Sequence, residues 1–320
     1  MYVHLAPRFD NGKTGMHAVY GFFVLSGFLM TLVISERYTT HYKGLIKYAI
    51  NRFLRIFPTY WTIIVISLIA ILILSPDDIL IRSISYPKTL SDFVKNLFII
   101  GLEGGYKLRL VPPAWSLSIE LVYYAVIPVV LAFGNKKGIL IWFLISIVLT
   151  IIQAFGVADI KYKYTALLTG SLPFSFGSLL YFYKDSLGII FRKYIVVTFA
   201  LFLTFALTSK SFTSTPQYGA YISIIFTGLL IIGLFNLDKS NYPVWVLKLD
   251  KFLGDIAYPV FLIHWLVAGI LTHTIFSPKD YKTLPFFIVS FIIVNLLSIG
   301  IHYLLEERVN KIRDSVKKWQ

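Results

Sequence analysis

The sequence predicts an all-α, polytopic membrane protein that forms a single domain over residues 1–320. Hydrophobic residues make up 57% of the chain, charged residues make up 14%, and the mean hydropathy is +0.74. An ordinary soluble domain is about 45–50% apolar and about 25% charged. Uncharged apolar runs recur about every thirty residues, each near the ~20 residues that cross a bilayer as a helix. Runs such as IIVISLIAILIL do not alternate apolar and polar residues, which excludes a transmembrane barrel.

Reading each uncharged run as one span predicts about nine full transmembrane helices plus the stub of a first one. The predicted spans are 16–35, 57–75, 114–134, 138–156, 163–183, 194–209, 218–236, 256–276 and 284–305. The span at 163–183 contains Gly170, Pro173 and Gly177, so we expect it to be kinked or broken. The run at 94–102 is too short to span and is expected to be re-entrant or interfacial.

The basic residues lie mainly at the ends of the apolar runs and predict the orientation. Segment 36–56 has several basic residues and one acid, which places it in the cytoplasm. Because successive spans cross the membrane in alternating directions, the basic residues near 136, 184–193 and 239–251 and those in the C-terminal tail are also predicted to be cytoplasmic. The net charge of +14 therefore indicates contact with anionic lipid rather than nucleic acid.

The predicted orientation also concerns the start of the chain. Since the first full span enters from outside, residues 1–5 are expected to be the stub of a preceding helix. The chain has no cysteine, so disulfides and thiolate chemistry are excluded.

Glu120 is the sharpest chemical signal, because it is the only carboxylate inside any of the apolar runs. It lies about two helical turns into the span that begins near Ala114. An ionised carboxylate in hydrocarbon costs at least ~2.5–3.5 kcal/mol. A cationic partner, a water-filled cavity or protonation must offset that cost. The residue is predicted either to function in the site or to join helices through an ion pair or hydrogen bond.

Arg52 and Arg55 are three residues apart, so on a helix they share one face. Pro58 then restricts the backbone just before the apolar run. Guanidinium groups suit phosphate, because they are planar and permanently charged donors. The two arginines are therefore predicted to be either membrane anchors or a fork that holds an anion.

The six histidines form no metal-binding pattern. His264 lies in mid-span and is either a bridge between helices or a catalytic residue. His4 lies at the outer end of the N-terminal stub. The other four, His17, His41, His273 and His302, are read as interfacial or helix-packing residues. The spacings of zinc sites, phosphate loops and serine-hydrolase elbows are absent, so no metal is predicted.

Several stretches, taken in order, resemble the acyltransferase 3 family. These integral-membrane O-acyltransferases include lipopolysaccharide and peptidoglycan O-acetylases. The stretches are YGFFVLSGFLMT (20–31), NRFLRIFPTYW (51–61), PPAWSLSIELVYYAVIPVV (112–130), FLGDIAYPVFLIHWLV (252–267) and YLLEERVNK (303–311). They run from one end of the chain to the other in the order of the family.

The resemblance implies roles for individual residues. His4 takes the place of the proposed catalytic base of the family, and Arg52 and Arg55 take the place of its arginines that hold the phosphates of acyl-CoA. Ser26, in the first stretch, is a further candidate site residue, as are Trp115 and Ser116 in the Trp-Ser-Leu-x-x-Glu segment. An arginine about eleven residues before the histidine would fall before Met1. Tyr20 stands where the family usually has Asp or His, which affects the choice of acceptor.

The resemblance also implies a function. The protein is expected to be a multi-pass protein of a bacterial plasma (inner) membrane. It is expected to move an acyl group, by preference acetyl, from cytoplasmic acyl-CoA to a hydroxyl of a cell-surface or lipid-linked carbohydrate. Acyl-CoA would be a substrate, with no tightly bound cofactor and no nucleic-acid partner.

Two alternatives come from other functional classes. One is a glycolipid or polysaccharide transporter or flippase, which would explain the broken span and Glu120 equally well. The sequence shows none of the inverted internal symmetry typical of such transporters. The other is a non-catalytic scaffold or sensor, in which a buried carboxylate would have no use.

Overall fold

The computed structural model describes residues 5, 14–38, 41–74, 79–81, 84–155, 166–212, 216–281 and 283–317. The helices are α1 (Thr14–Arg37), α2 (Tyr42–Leu74), α3 (Leu90–Phe98), α4 (Ala114–Phe155), α5 (Ser171–Tyr181), α6 (Lys184–Phe191), α7 (Ile195–Phe212), α8 (Pro216–Phe235), α9 (Val244–Thr274), α10 (Leu284–Ile301) and α11 (Glu307–Lys317). A π-helical turn, His302–Glu306, joins α10 to α11. The strands are β1 (Ile79–Ile81) and β2 (Ile84–Ser85), which pair antiparallel.

The prediction of an all-α, polytopic membrane protein is confirmed. Within the described residues, six stretches of helix are long and apolar enough to cross a membrane, and α4 holds two of the predicted spans. It breaks at Asn135, whose backbone is not helical (φ 47, ψ −133). The predicted span 163–183 is broken as expected, into a 3-10 turn at Leu167–Gly170 and the 11-residue helix α5. The count of nine spans stays a prediction.

Helix α2 corrects the expected position of the arginine pair. The span was predicted to begin at residue 57, just after the two arginines, but α2 begins at Tyr42 and continues through Pro58. Arg52 therefore lies about ten residues, or ~15 Å, inside the helix. A proline within a membrane helix is tolerated where neighbouring groups satisfy the freed backbone. The carbonyl that Pro58 frees is that of Leu54, four residues before it. One turn after the proline, the hydroxyl of Thr62 donates to the Pro58 carbonyl at 3.0 Å.

Two glycines allow the backbones of α1 and α5 to touch. A Cβ atom at Gly27 would lie 2.2 Å from the Phe174 carbonyl oxygen, and one at Gly177 would lie 2.0 Å from the Val24 carbonyl oxygen. Small residues permit such close approach between membrane helices, where tight packing replaces the hydrophobic effect. The contact fixes the position of Ser26, which is adjacent to Gly27 along α1.

Replacing Gly27 or Gly177 with alanine is therefore expected to destabilise the protein. The added methyl group meets backbone rather than a movable side chain, and overpacking of this kind typically costs ~1–3 kcal/mol. Gly254→Ala is the matched control, because a Cβ atom there meets no atom within 4 Å. Alanine also favours helix over glycine. Thermal unfolding in detergent should show a lower midpoint for the first two variants only, and equal midpoints in all three would contradict the close contact.

Apart from α3, the described helices form two groups. Helices α1, α4, α5, α6, α7 and α8 pack against one another, and α2, α9, α10 and α11 pack against one another. Among the described elements, backbones approach closely within each group, and the two groups meet mainly through side chains. Phe22 of α1, for example, stacks on Phe261 of α9 with ring centroids 6.4 Å apart.

Residues predicted to be cytoplasmic meet at one end of the bundle, which we call the basic end. Lys184 forms an ion pair with Glu36 at 3.3 Å, and Lys136 lies over the ring of Tyr183 at 4.2 Å. The structure therefore brings the ends of α1, the break in α4 and the start of α6 together. That this end faces the cytoplasm stays a prediction.

At the opposite end, residues 84–113 form an ordered cap. The amide of Asn96 donates to the carbonyls of Asp92 and Leu108, and its oxygen accepts from the Leu110 N–H. Hydrogen bonds donated by Tyr106 and Thr89 hold the pKa of Asp92 below its usual range. This stabilisation is present above the unfolded-state pKa and is lost as the pH falls through the lowered folded-state pKa.

The cap is joined to α2, and its helix α3 presents apolar residues outward. The Tyr60 hydroxyl and the Trp61 indole donate to the carbonyls of Asn96 and Leu97 at 2.8 Å each. The exposed apolar residues of α3 are Leu90, Val94, Leu97 and Phe98. An amphipathic helix of this kind suits the membrane interface, as the sequence predicted for residues 94–102.

Candidate functional site

The site is built around Glu120, which lies about two turns into α4 and is only 2% exposed. The hydroxyl of Ser26 on α1 donates to Glu120 Oε1 at 2.9 Å, and the hydroxyl of Tyr124 donates to the same oxygen over a short distance. The expected hydrogen bond between helices is therefore present, and Ser26 is one of its partners. Two hydroxyl donors offset part of the cost of burying a carboxylate.

The carboxylate is connected to the arginine pair through tyrosines. The Tyr48 hydroxyl on α2 donates to the Tyr124 carbonyl at 3.2 Å, and the Arg52 guanidinium carbon lies 5.8 Å from the centroid of the Tyr48 ring. Arg52 and Arg55 are both within electrostatic range of Glu120. Glu120 belongs to one helix group and the arginines to the other, so the site lies between the two groups.

Each arginine is half-buried, and its guanidinium group contacts uncharged side chains. Arg52 Nη1 lies 3.5 Å from the sulfur of Met30, and Arg52 Nε is buried without a hydrogen-bond partner among the described residues. The guanidinium carbon of Arg55 lies 5.8 Å from the centroid of the Tyr258 ring. In the part of the chain that the structure describes, no carboxylate is within ion-pair distance of either arginine. The pair therefore has unused capacity for an anion.

The structure contains a second buried carboxylate, Glu306, which was not predicted from the sequence. Glu306 is 5% exposed, accepts a hydrogen bond from Thr59 at 3.0 Å, and has His302 Nδ1 at 3.6 Å from its Oε2. Glu120 is the only carboxylate inside the predicted apolar runs, but Glu306, one residue beyond the run 284–305, is also buried in the bundle. His302, predicted to be an interfacial or helix-packing residue, is buried beside Glu306. Their spacing of four residues was the signal that could have shown this.

The other predicted residues lie at varied positions. His264 is buried in α9, with Nδ1 at 3.2 Å from the carbonyl oxygen of Val260 in the same helix, and its role as a bridge between helices or a catalytic residue stays a prediction. Ser116 donates to the Pro113 carbonyl at 3.0 Å in the first turn of α4, where Trp115 is half-buried. His4 lies outside the described residues. The residue after it, Leu5, is completely buried in the core cluster that draws on both helix groups.

Comparison with known proteins identifies the family. The model of the acyltransferase domain matches residues 3–303, which is nearly the whole chain. The chain belongs to the acyltransferase 3 family. The family assignment predicted from the sequence stretches is therefore confirmed, and the protein is a multi-pass membrane acyltransferase. Glu120, Arg52 and Arg55 all lie within the region that the model of the acyltransferase 3 family matches.

Two proteins from other organisms are similar to this chain in sequence. An uncharacterized protein of Haemophilus influenzae is 27% identical, over 66% of this chain and 95% of the relative. An uncharacterized protein of Aquifex aeolicus is also 27% identical, over 63% of this chain and 89% of the relative. No solved structure matches the chain.

Proposed function

We propose that this acyltransferase moves an acyl group, by preference acetyl, from cytoplasmic acyl-CoA to a hydroxyl of a cell-surface or lipid-linked carbohydrate. The observation that carries the proposal is the arginine pair on α2, which has no carboxylate partner among the described residues and faces the Glu120 site. The phosphates of acyl-CoA would bind to the arginines, and its thioester would lie in the interior of the helix bundle. The proposed setting is the inner membrane of a bacterium, with the acceptor outside.

The site has two parts, one on each helix group. Arg52 and Arg55 on α2 form the first part, which would hold the phosphates of the donor. Glu120 on α4 and Ser26 on α1 form the second part, in the other helix group. A pantetheine arm between the helix groups would carry the thioester from the first part to the second.

The reaction uses His4 as general base. A neutral imidazole takes the proton of the acceptor hydroxyl as the oxygen attacks the thioester carbonyl carbon. A C–O bond forms, the C–S bond breaks, and the proton passes to the departing CoA thiolate. This role is supported by the resemblance to the family, and His4 lies within the region that the family model matches. Glu120 would position or charge-balance a group at the reaction centre.

The test is release of CoA by the purified protein in detergent, with acetyl-CoA as donor. Release that rises on addition of a glycan acceptor, together with acetylated glycan, supports the proposal. A transporter or flippase would move its glycolipid between the leaflets of a vesicle without releasing CoA. No release with any carbohydrate acceptor, from protein that is folded and binds acetyl-CoA, would overturn the acceptor assignment.

Replacing Arg52 or Arg55 with lysine is expected to weaken acetyl-CoA binding by roughly 10-fold or more. Lysine keeps the charge but loses the planar, two-pronged donor, and hydrogen bonds to charged groups contribute ~1.5–3 kcal/mol. Arg308→Lys on the exposed face of α11 is the matched control. Isothermal titration of each variant measures the dissociation constant. Unchanged binding in both lysine variants would show that the arginines are only membrane anchors.

A further inference from the structure

A third arginine joins the arginine pair from the far end of the chain. Arg313 on α11 donates from Nε to the Asn51 side-chain oxygen at 3.0 Å, and the Asn51 amide donates back to the Arg313 carbonyl at 3.1 Å. Arg313 Nη1 also donates to Asn310 at 2.6 Å. Asn51 is fully buried and directly precedes Arg52. These bonds hold the guanidinium of Arg313 beside the arginine pair.

Positive charges outnumber negative charges around Arg313. Arg52 and Arg55 are both within electrostatic range of Arg313, and Arg55 and Arg313 line the same small cavity with Glu306. Asp314 also interacts with Arg313 electrostatically, but it is exposed to solvent. Among the described residues, Arg313 has no carboxylate within ion-pair distance. In the part of the chain that the structure describes, the buried carboxylates near the three guanidinium groups are Glu306 and Glu120, so a net positive charge remains even when both are ionised, and a bound anion would offset it.

Arg313 reaches the arginine pair from a different helix. Arg52 and Arg55 lie about one helical turn apart on α2, whereas Arg313 lies on α11 and is bonded to Asn51. In acyl-CoA the order from the thioester outward is pantetheine, pyrophosphate and then the ribose with its 3′-phosphate. The donor therefore carries a pyrophosphate, which suits the two arginines of the pair, and a separate 3′-phosphate, which suits a third guanidinium held beside them.

We propose that Arg313 binds the ribose 3′-phosphate of the acyl donor, while Arg52 and Arg55 bind its pyrophosphate. The proposal rests on the proposed acyl-CoA donor. It makes the C-terminal helix α11 part of the donor site, with Asn51 as the residue that positions Arg313. The site would then select a 3′-phosphorylated CoA over its dephosphorylated form.

The test compares acetyl-CoA with acetyl-dephospho-CoA, which lacks only the 3′-phosphate. Dissociation constants are measured by isothermal titration for the wild-type protein and for Arg313→Gln. We expect the wild type to bind acetyl-CoA at least 10-fold more tightly than the dephospho form. In Arg313→Gln the two ligands should bind with nearly equal affinity, and binding of the dephospho form should stay close to that of the wild type.

Two controls separate this role from others. Arg308→Gln removes an exposed arginine from the same helix and should keep the wild-type ratio of the two dissociation constants. A purely structural role for Arg313 would lower the thermal midpoint but leave that ratio unchanged. An unchanged ratio in Arg313→Gln, or an equal loss for both ligands, would overturn the proposal. If the wild type binds neither ligand and releases no CoA, the proposed function itself fails, which is a different result.

Discussion

Replacing His4 with alanine is expected to lower the rate of acyl transfer by ~10²–10⁴-fold while acetyl-CoA binds as in the wild type. The imidazole is proposed to act only when the acceptor hydroxyl attacks, so its removal should reduce kcat rather than donor affinity. The measurements are acetyl transfer to the glycan acceptor and titration with acetyl-CoA. Full activity in His4→Ala would end the general-base proposal.

The pH profile gives a second readout for the same variant. An unperturbed imidazole titrates near pH ~6.5, and only its neutral form accepts a proton. The wild-type rate should therefore fall on the acid side, and this fall should be absent from the residual activity of His4→Ala. His273→Ala is the matched control, because His273 is an exposed residue near the end of α9. It should keep both the rate and the profile.

Replacing Glu120 with glutamine is expected to lower acyl transfer by roughly 10–150-fold with little loss of thermal stability. Glutamine keeps the size of the side chain and an oxygen that accepts from Ser26 and Tyr124, but it removes the negative charge. Neutralising a buried carboxylate relieves its desolvation cost, so the fold should tolerate the change. The charge is expected to matter because Arg52 and Arg55 are within electrostatic range of it.

The comparison for Glu120→Gln uses an exposed carboxylate and a partner residue. Glu307→Gln changes an exposed carboxylate at the start of α11 and should leave both activity and stability unchanged. Ser26→Ala removes one donor to the carboxylate and should have a smaller effect on rate than Glu120→Gln. Turnover and thermal unfolding of each variant are measured in the same detergent. Nearly normal turnover by Glu120→Gln would show that Glu120 only joins α1 to α4.

The fold class and the centre of the site could be predicted because each rests on a local signal. Long uncharged runs mark membrane helices, and a carboxylate inside such a run is conspicuous wherever it occurs. Ser26 was reached through the resemblance, and the structure shows its contact with Glu120. The position of the arginine pair was predicted less well, since an uncharged run reveals the apolar part of a helix but not the polar turns before it.

Contacts between distant parts of the chain could not be predicted. Glu306 meets Thr59, and Arg313 meets Asn51, across about 250 residues of sequence. Periodicity describes one helix at a time and does not say which helices become neighbours. Arg313 therefore reads as one more basic residue of a cytoplasmic tail. Glu306 is hidden in the same way, because the π-helical turn that rotates it inward has no distinctive sequence.

The meeting of the two helix groups through side chains has a consequence for how substrates reach the site. Between the described elements of the two groups, the contacts include Met30 with Arg52, Phe22 with Phe261, and the hydrogen bond from Tyr48 to Tyr124. Such contacts can part and re-form without unfolding any helix. The proposed donor, which is long and thin, would then enter sideways between the two groups instead of being threaded end-first through a pore. The proposed acceptor, if it is carried on a lipid, would approach by the same lateral route without leaving the bilayer.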